Sequence, residues 1–203
     1  MRKSMKMLLA AGAVLAAVSA VPAFAQTRVI ATIGSWTAFD GKTNENKIPL
    51  CGMYVSGPNS SLMVKWFKGS DHLTIHAFGK GWKIPDGTEL NMSFSFDGDD
   101  PYTGVARGKH DFVEAFIGEP KVMDNFMREF RSAGSMRVEF PDGNVNPWQI
   151  NMDGSRAVAD IFTGCMNKLA GRSSPSTPQP FGKKQEPAAQ PFGTKSSGSD
   201  RGT

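Results

Sequence analysis

Between residues 27 and 117 the chain consists of short segments rich in β-branched and aromatic residues, and in two of them, residues 72–78 and 88–96, hydrophobic and polar residues alternate. An alternation with a period of two residues is typical of a β-strand that buries one face. It is clearest over residues 88–96, where four apolar side chains share one face. Turn-forming residues separate the alternating segments. The pattern predicts strands at residues 28–33, 35–39, 52–56, 61–67, 72–78, 88–96, 102–107 and 111–117, the last two joined through Gly108.

Two later segments have the three- and four-residue hydrophobic spacing of amphipathic helices. The first begins at Pro120, since proline is favoured in the first turn of a helix, and ends before Gly134. The second follows Asp153-Gly154, and Ser155 is its predicted N-cap. Cys165 lies on the apolar stripe of this second helix.

A β-hairpin is predicted between the two helices. Residues 136–140 and 148–152 alternate in hydrophobicity on either side of the turn sequence Pro141-Asp142-Gly143-Asn144. Together the elements predict a mainly β fold with two short packed helices, one of them C-terminal. Its sheet is expected to be an antiparallel β-sandwich or a single strongly curved sheet.

The first 25 residues have a different pattern. A basic start and an apolar run over residues 7–21 precede Ala23-Phe24-Ala25, which has the small-x-small form of a signal peptidase site. These features predict a secretory signal peptide over residues 1–25 and a periplasmic or secreted mature protein beginning at about Gln26. The apolar run is too short to span a bilayer, so no transmembrane segment is predicted.

The other end of the chain also differs in composition. About half of residues 171–203 are Pro, Gly or Ser, which predicts a disordered basic tail after a single globular domain at residues 26–170. A short repeat in this tail places Phe181 beside Lys183 and Phe192 near Lys195. Two interpretations stay open for the repeat: a bivalent docking element and a low-complexity spacer.

The formal net charge of +4 is concentrated at the two ends of the chain. The predicted globular domain between them carries a small net negative charge. It therefore lacks the basic field that nucleic-acid binding requires, and nucleic acid is not an expected partner.

Cys51 and Cys165 are the two cysteines of the chain. In an exported protein an even pair most simply forms a disulfide, whereas in the cytosol it would suggest metal or redox chemistry. The expected disulfide would connect the first third of the fold to the last helix. The chain-entropy model gives such a long loop about 4 to 5 kcal/mol of stabilisation.

No catalytic motif of defined spacing occurs in the sequence, so no catalytic residue, cofactor or metal site is predicted. His72 and His76 lie on one predicted strand, where four residues span about 13 Å, too far for one metal ion. We therefore interpret both as polar residues on a solvent-exposed face. His110-Asp111 is a weak candidate for an oriented general base, because neighbouring strand residues point to opposite faces.

Asp97, Asp99 and Asp100 form an acidic turn with the ligand type that calcium prefers. The EF-hand loop, however, needs a glutamate at its twelfth position, and Gly108 stands there in this chain. A plain Asp-Gly turn is the favoured interpretation.

Two tryptophans with neighbouring lysines form the candidate binding surface. An aromatic side chain flanked by cations is typical of binding hot spots. The alternative interpretation places both tryptophans in the core, with the lysines on the opposite face. The candidate residues are Lys65, Trp66, Lys68, Trp82 and Lys83.

The end of the predicted domain carries a family resemblance. Pro147-Trp148-Gln149-Ile150-Asn151-Met152 leads through Gly154-Ser155 into a helix with Ala157, Phe162 and Cys165. This arrangement resembles the small exported proteins of α-proteobacteria grouped with invasion-associated locus B, in outline over residues 30–170. The resemblance implies an envelope setting with host or surface interaction, and it supplies no catalytic residue. The tail departs from the pattern of that group.

The expected function is that of a non-enzymatic exported binding protein of the cell envelope. Its expected partner is a protein or another envelope component. One alternative is an exported hydrolase with an unrecognised site, for which His76, His110, Asp111 and the acidic turn are the available groups. Another is an inhibitor of an envelope enzyme, which differs from the first only in its partner.

Overall fold

The computed structural model describes residues 27–172. The predicted signal peptide and the predicted tail with its Phe-Lys repeat lie outside these residues. The elements are β1 (Arg28–Ile33), β2 (Trp36–Lys42), β3 (Pro49–Ser56), β4 (Ser60–Phe67), β5 (Leu73–Gly79), β6 (Glu89–Phe96), β7 (Tyr102–Lys109), β8 (Phe112–Ile117), α1 (Pro120–Ser132), β9 (Ser135–Glu139), β10 (Trp148–Asn151) and α2 (Ser155–Leu169).

The ten strands form one antiparallel sheet in the order β1-β2-β3-β4-β5-β8-β7-β6-β9-β10. The first five strands are sequential neighbours, but β8 rather than β6 lies beside β5. The sheet curves until residues near its two ends meet: the Trp36 indole N–H donates to the Asn151 carbonyl at 3.1 Å. The predicted mainly β fold, with two helices and the second one C-terminal, is confirmed.

The core lies on the face of the sheet that carries the helices, which we call the inner face. Phe126 and Phe130 of α1 are fully buried there. Phe130 packs edge-on against Trp36 of β2 at 4.6 Å between ring centroids, and Phe126 packs against Phe96 of β6 at 5.5 Å. The apolar stripe read from the spacing of α1 therefore joins the first and second halves of the curved sheet.

The predicted disulfide is present. Cys51 is fully buried on β3 and is bonded to Cys165 of α2, with 6.0 Å between their Cα atoms. This separation lies within the ordinary range for a disulfide. The bond fixes the C-terminal helix to the third strand.

Two local predictions were wrong. Gly154, not Ser155, is the N-cap of α2, and its φ of 86° is a left-handed conformation that glycine adopts without strain. A Cβ atom at Gly154 would lie 2.0 Å from the Ile33 carbonyl oxygen, so the turn before β2 also requires the glycine. The β7–β8 turn is at His110-Asp111 rather than Gly108, since Lys109 pairs with Phe112.

The strand β5 was predicted to bury one face, but it buries both. Leu73, Ile75 and Ala77 point to the inner face, while Thr74 and His76 are also buried on the opposite, outer face. A strand between β4 and β8 is covered at both edges, and large side chains of these neighbours cover its outer face as well. Among the described residues, no helix combines the length and apolar character that crossing a membrane needs.

Candidate functional site

Three titratable side chains meet on the outer face of β4, β5 and β8. In the sheet register, His76 of β5 lies opposite Glu114 of β8, and Lys65 of β4 lies opposite Thr74 of β5. Residues two apart on a strand share a face, so His76 and Thr74 point to the same side as Lys65 and Glu114. Diagonal neighbours in a sheet are within reach of long side chains. The pairing of three strands thus places Lys65 next to His76.

The three side chains are joined by hydrogen bonds. The Lys65 Nζ atom lies 3.1 Å from His76 Nδ1, and His76 Nε2 lies 2.9 Å from Glu114 Oε2. An ionised carboxylate can only accept, so we assign the imidazole proton to Nε2, which donates to Glu114. His76 Nδ1 then accepts a hydrogen bond from Lys65. We call this arrangement the Lys65–His76–Glu114 chain.

Burial and the neighbouring charges determine the protonation states of the Lys65–His76–Glu114 chain. His76 is 7% exposed, and its burial lowers the pKa of the imidazole although the Glu114 partner acts to raise it. The hydrogen bond from His76 lowers the pKa of Glu114. Burial lowers the pKa of Lys65 to about 8. At neutral pH the chain therefore holds a lysine that is mostly charged, a neutral imidazole and a carboxylate.

A groove of about 660 Å³ opens beside this chain on the outer face of β1–β5. Its lining is mostly apolar or aromatic, and Lys65 is the one charged side chain among its described lining residues. We call it the outer-face groove. Its lining residues are Thr27, Val29, Phe39, Thr43, Asn44, Leu50, Tyr54, Ser56, Ser61, Met63, Lys65, Phe67 and Phe78.

Aromatic rings shield the histidine from water. Phe112 of β8 lies 4.6 Å from the His76 ring and 5.0 Å from the Phe78 ring, measured between centroids. Since Phe78 also lines the groove, this aromatic group separates the imidazole from bulk solvent on that side. A low local dielectric strengthens the hydrogen bonds of the chain.

Thr74 contributes an unusual polar atom to the same place. Its side chain is buried, and its Oγ1 is the one buried side-chain polar atom of residues 27–172 that lacks a hydrogen-bond partner. Buried hydroxyl groups are normally paired, because an unpaired one costs about 1 to 3 kcal/mol. The register places Thr74 directly across from Lys65. The unpaired hydroxyl group thus lies next to Lys65, although Thr74 itself is buried and does not line the groove.

Trp66 does not lie on a surface shared with Lys65 and Lys68. Trp66 is 8% exposed and its indole N–H donates to the Ser70 carbonyl at 3.0 Å, so it is a core residue on the inner face. Because strand residues alternate, Lys65 points to the outer face instead. Lys68 is exposed just beyond the end of β4. The alternative core interpretation is therefore the one that holds for Trp66.

Trp82 belongs to a separate aromatic cluster. It is half-buried, stacks on Trp148 at 5.7 Å and packs edge-on against Phe140 at 5.4 Å. Gly79 makes room for it, because a Cβ atom there would lie 2.1 Å from the indole ring. Lys83 is exposed next to it. Trp82 and Lys83 thus lie apart from Lys65 and do not join it in one surface.

The other histidines do not join His76. His72 contacts Asp71 through its Nδ1 atom at 2.9 Å, and it packs against Phe116. His110 is exposed in the β7–β8 turn with a φ of 62°, and Asp111 is exposed beside it. The interpretation of His72 and His76 as solvent-exposed polar residues was wrong for His76, because β8 and its phenylalanines cover it.

The acidic turn has a structural partner. Asp97 accepts hydrogen bonds from the Gly134 and Ser135 amides and from the Ser135 hydroxyl group, at 3.1, 2.8 and 3.0 Å. These bonds lower the pKa of Asp97. Within residues 27–172, no cluster of three or more His, Cys, Asp or Glu side chains has the arrangement of a metal site. Asp97 thus connects the β6 end to the start of β9.

Glu114 is the site residue that sequence reasoning missed, and Lys65 was noted only as a flank of Trp66. Both lie at ordinary polar positions of alternating strands, where a single charged residue is unremarkable. The only local signal was an interruption of apolar residues on β4 and β8. Knowledge that β8 pairs with β5 was needed to connect them.

Comparison with known proteins found no matching family model, no matching curated protein and no matching solved structure. The resemblance to the invasion-associated locus B group therefore stays a prediction.

Proposed function

We propose that this chain is a non-enzymatic exported binding protein of the cell envelope, and that it holds the apolar part of an envelope component in the outer-face groove. The observation that carries the proposal is the groove itself, a mostly apolar concavity with one lysine. The expected signal peptide supports export. The disulfide supports it too, because such bonds persist in oxidising compartments such as the periplasm.

The groove has the properties of a binding site for a small molecule. Its volume of about 660 Å³ lies within the range of roughly 300 to 1,000 Å³ that is typical of ligand sites. Ligand sites are mainly apolar and contain few polar groups that orient the ligand. Lys65 has that position here, and the buried Thr74 lies directly across from it in the sheet register.

A direct test uses an uncharged fluorescent probe, N-phenyl-1-naphthylamine, which brightens in apolar sites. We expect saturable binding to the wild type and at least about tenfold weaker binding to Met63→Glu, since a charge in an apolar groove is poorly solvated. Val105→Glu is the matched control, because Val105 is 57% exposed and does not line the groove. Equal binding to both variants, or none to the wild type, would reject the proposal.

The Lys65–His76–Glu114 chain favours a second candidate, an exported hydrolase. In this chain a carboxylate orients a neutral imidazole, as it does for the general base of hydrolytic sites. His76 would take a proton from a water molecule as that water attacks an ester carbonyl, and it would give the proton to the departing alkoxide, so that the ester yields a carboxylic acid and an alcohol. Turnover of apolar esters by the wild type, lost in His76→Gln with the melting temperature kept, would favour this candidate over binding alone.

The remaining expectations belong to this proposal as well. A partner protein, a host- or invasion-associated role and inhibition of an envelope enzyme are each consistent with a ligand groove. Recovery of the mature chain from periplasm rather than culture medium would place it in the envelope.

A further inference from the structure

We propose that the ligand of the outer-face groove is a linear alkyl carboxylate, whose carboxylate is bound by Lys65 and Thr74 while its chain lies along the apolar lining. The inference rests on the proposed function, because it names the ligand class of the same groove. It commits to a small amphiphile rather than to a peptide or a protein.

The charge of Lys65 favours an anionic ligand. Lys65 makes no direct salt bridge within residues 27–172: the imidazole of His76 separates it from Glu114. Glu114 is also opposite Arg107 in the β7–β8 register, and the positive charge of Lys109 lowers its pKa. Buried charges need compensation, so a cation at an apolar groove favours an anionic ligand group.

Lys65 and Thr74 have hydrogen-bond donors that are not used within residues 27–172. An ammonium group has three N–H donors, and His76 accepts from one of them. The Thr74 hydroxyl group has no partner and lies on the cross-strand neighbour of Lys65. Cross-strand neighbours have Cβ atoms about 4.5 to 5.5 Å apart. Thr74 is buried and does not line the groove. A carboxylate that enters between Lys65 and the sheet could accept from both groups, which would pair the hydroxyl group that the free structure leaves unsatisfied.

The polar groups of the groove favour a carboxylate over a phosphate. Phosphate recognition usually relies on arginine forks or on several donors around a dianion. The described lining residues contain no arginine and a single lysine. One point charge with one neighbouring hydroxyl group suits a monoanion with two oxygen atoms. The aromatic and aliphatic lining suits an unbranched apolar chain.

The test is displacement of N-phenyl-1-naphthylamine from the mature protein at pH 7 by four ten-carbon ligands: decanoate, decanol, decylamine and decyl phosphate. We expect decanoate to bind at least about tenfold more tightly than the other three, as a charge-assisted hydrogen bond would produce. Lys65→Met should abolish the preference for decanoate over decanol. Thr74→Val should reduce it several-fold. Lys68→Met is the control, because Lys68 is exposed outside the groove, and it should keep the preference.

A measurement on the wild type keeps the test independent of whether a variant folds. The preference for decanoate should decline as the pH rises from 7 to 9.5, since Lys65 loses its charge in that range. Glu114 stays ionised and His76 stays neutral above pH 7, because the pKa values of both are lowered. Decanoate also stays ionised in this range. Arg107 lies opposite Glu114, and Tyr54 is the other titratable side chain of the groove lining. Lys109 on β7 is the other lysine that faces Glu114, so Lys109→Met is run alongside.

The outcomes separate the two claims. If the probe binds but decanol and decanoate displace it equally, the carboxylate inference is overturned and the proposed function stands. Stronger displacement by decyl phosphate, or a preference that survives Lys65→Met, overturns it too. If the uncharged probe does not bind at all, the proposed function fails first.

Discussion

Lys65→Met should stabilise the protein, because partial burial of the charged Lys65 side chain lowers the free energy of unfolding of the wild type. Burial lowers the pKa of Lys65 from 10.5 to about 8. At about 1.36 kcal/mol for each pKa unit, the charged form is destabilised by up to about 3 kcal/mol at pH 7, an upper bound since the side chain is half-buried. Methionine keeps the apolar stem, but it leaves His76 Nδ1 without its partner, which costs about 1 to 3 kcal/mol. We expect a net gain of about 1 kcal/mol.

The pH dependence gives a sharper form of this prediction. The unfolded chain holds the Lys65 proton up to about pH 10.5, whereas the folded protein releases it near pH 8. Between those values the unfolded state binds more protons, so the free energy of unfolding rises with pH. The wild type should therefore gain stability relative to Lys65→Met from pH 8 to pH 10.5.

The measurement is urea unfolding of both proteins at several pH values between 6.5 and 10.5, with Lys68→Met as the control for loss of one exposed lysine. Only the difference between the wild type and each variant above pH 7 is interpreted, because Lys65 also lowers the pKa values of His76 and Glu114 and the variant changes their titration at lower pH. Parallel curves for the wild type and Lys65→Met would show that Lys65 is not destabilised by burial. If Lys65→Met has a free energy of unfolding more than about 2 kcal/mol below that of the wild type at pH 7, the charged Lys65 side chain does not destabilise the fold as inferred.

Three further predictions follow from the fold. Cys51→Ser should lower the free energy of unfolding by about 4 kcal/mol, as much as the double substitution with Cys165→Ser, because either opens the same loop; two titratable thiols in the folded wild type would contradict this. Trp66→Ala should cost about 3 to 5 kcal/mol in chemical unfolding since it empties a core position, and a neutral result would return Trp66 to the surface. Deletion of residues 171–203 should leave the melting temperature nearly unchanged, and a drop of many degrees would mean that the tail docks on the domain.

The sequence by itself determined the elements and one long-range bond. The first helix was predicted to begin at Pro120 and to end before Gly134, and the structure has it at Pro120–Ser132. Most strand positions were also predicted, because a period of two or 3.6 residues is a local property of the chain. The Cys51–Cys165 disulfide was predictable because the chain has only two cysteines. Ser155 was misplaced as a cap because the conformation of Gly154 depends on its contact with Ile33.

The tertiary structure alone decided the candidate site. Local alternation placed His76 on a polar face of β5, but it could not say that β8 would lie beside that strand and cover it. Two strands, β6 and β7, separate β5 from β8 in the sequence, so no residue near His76 indicates that β5 and β8 pair. It brings Glu114 to His76 and buries the lysine at the groove. Alternation along a strand determines to which face of the sheet a side chain points. The order of the strands in the sheet determines which other side chains it contacts, and the chemistry of a site depends on those contacts.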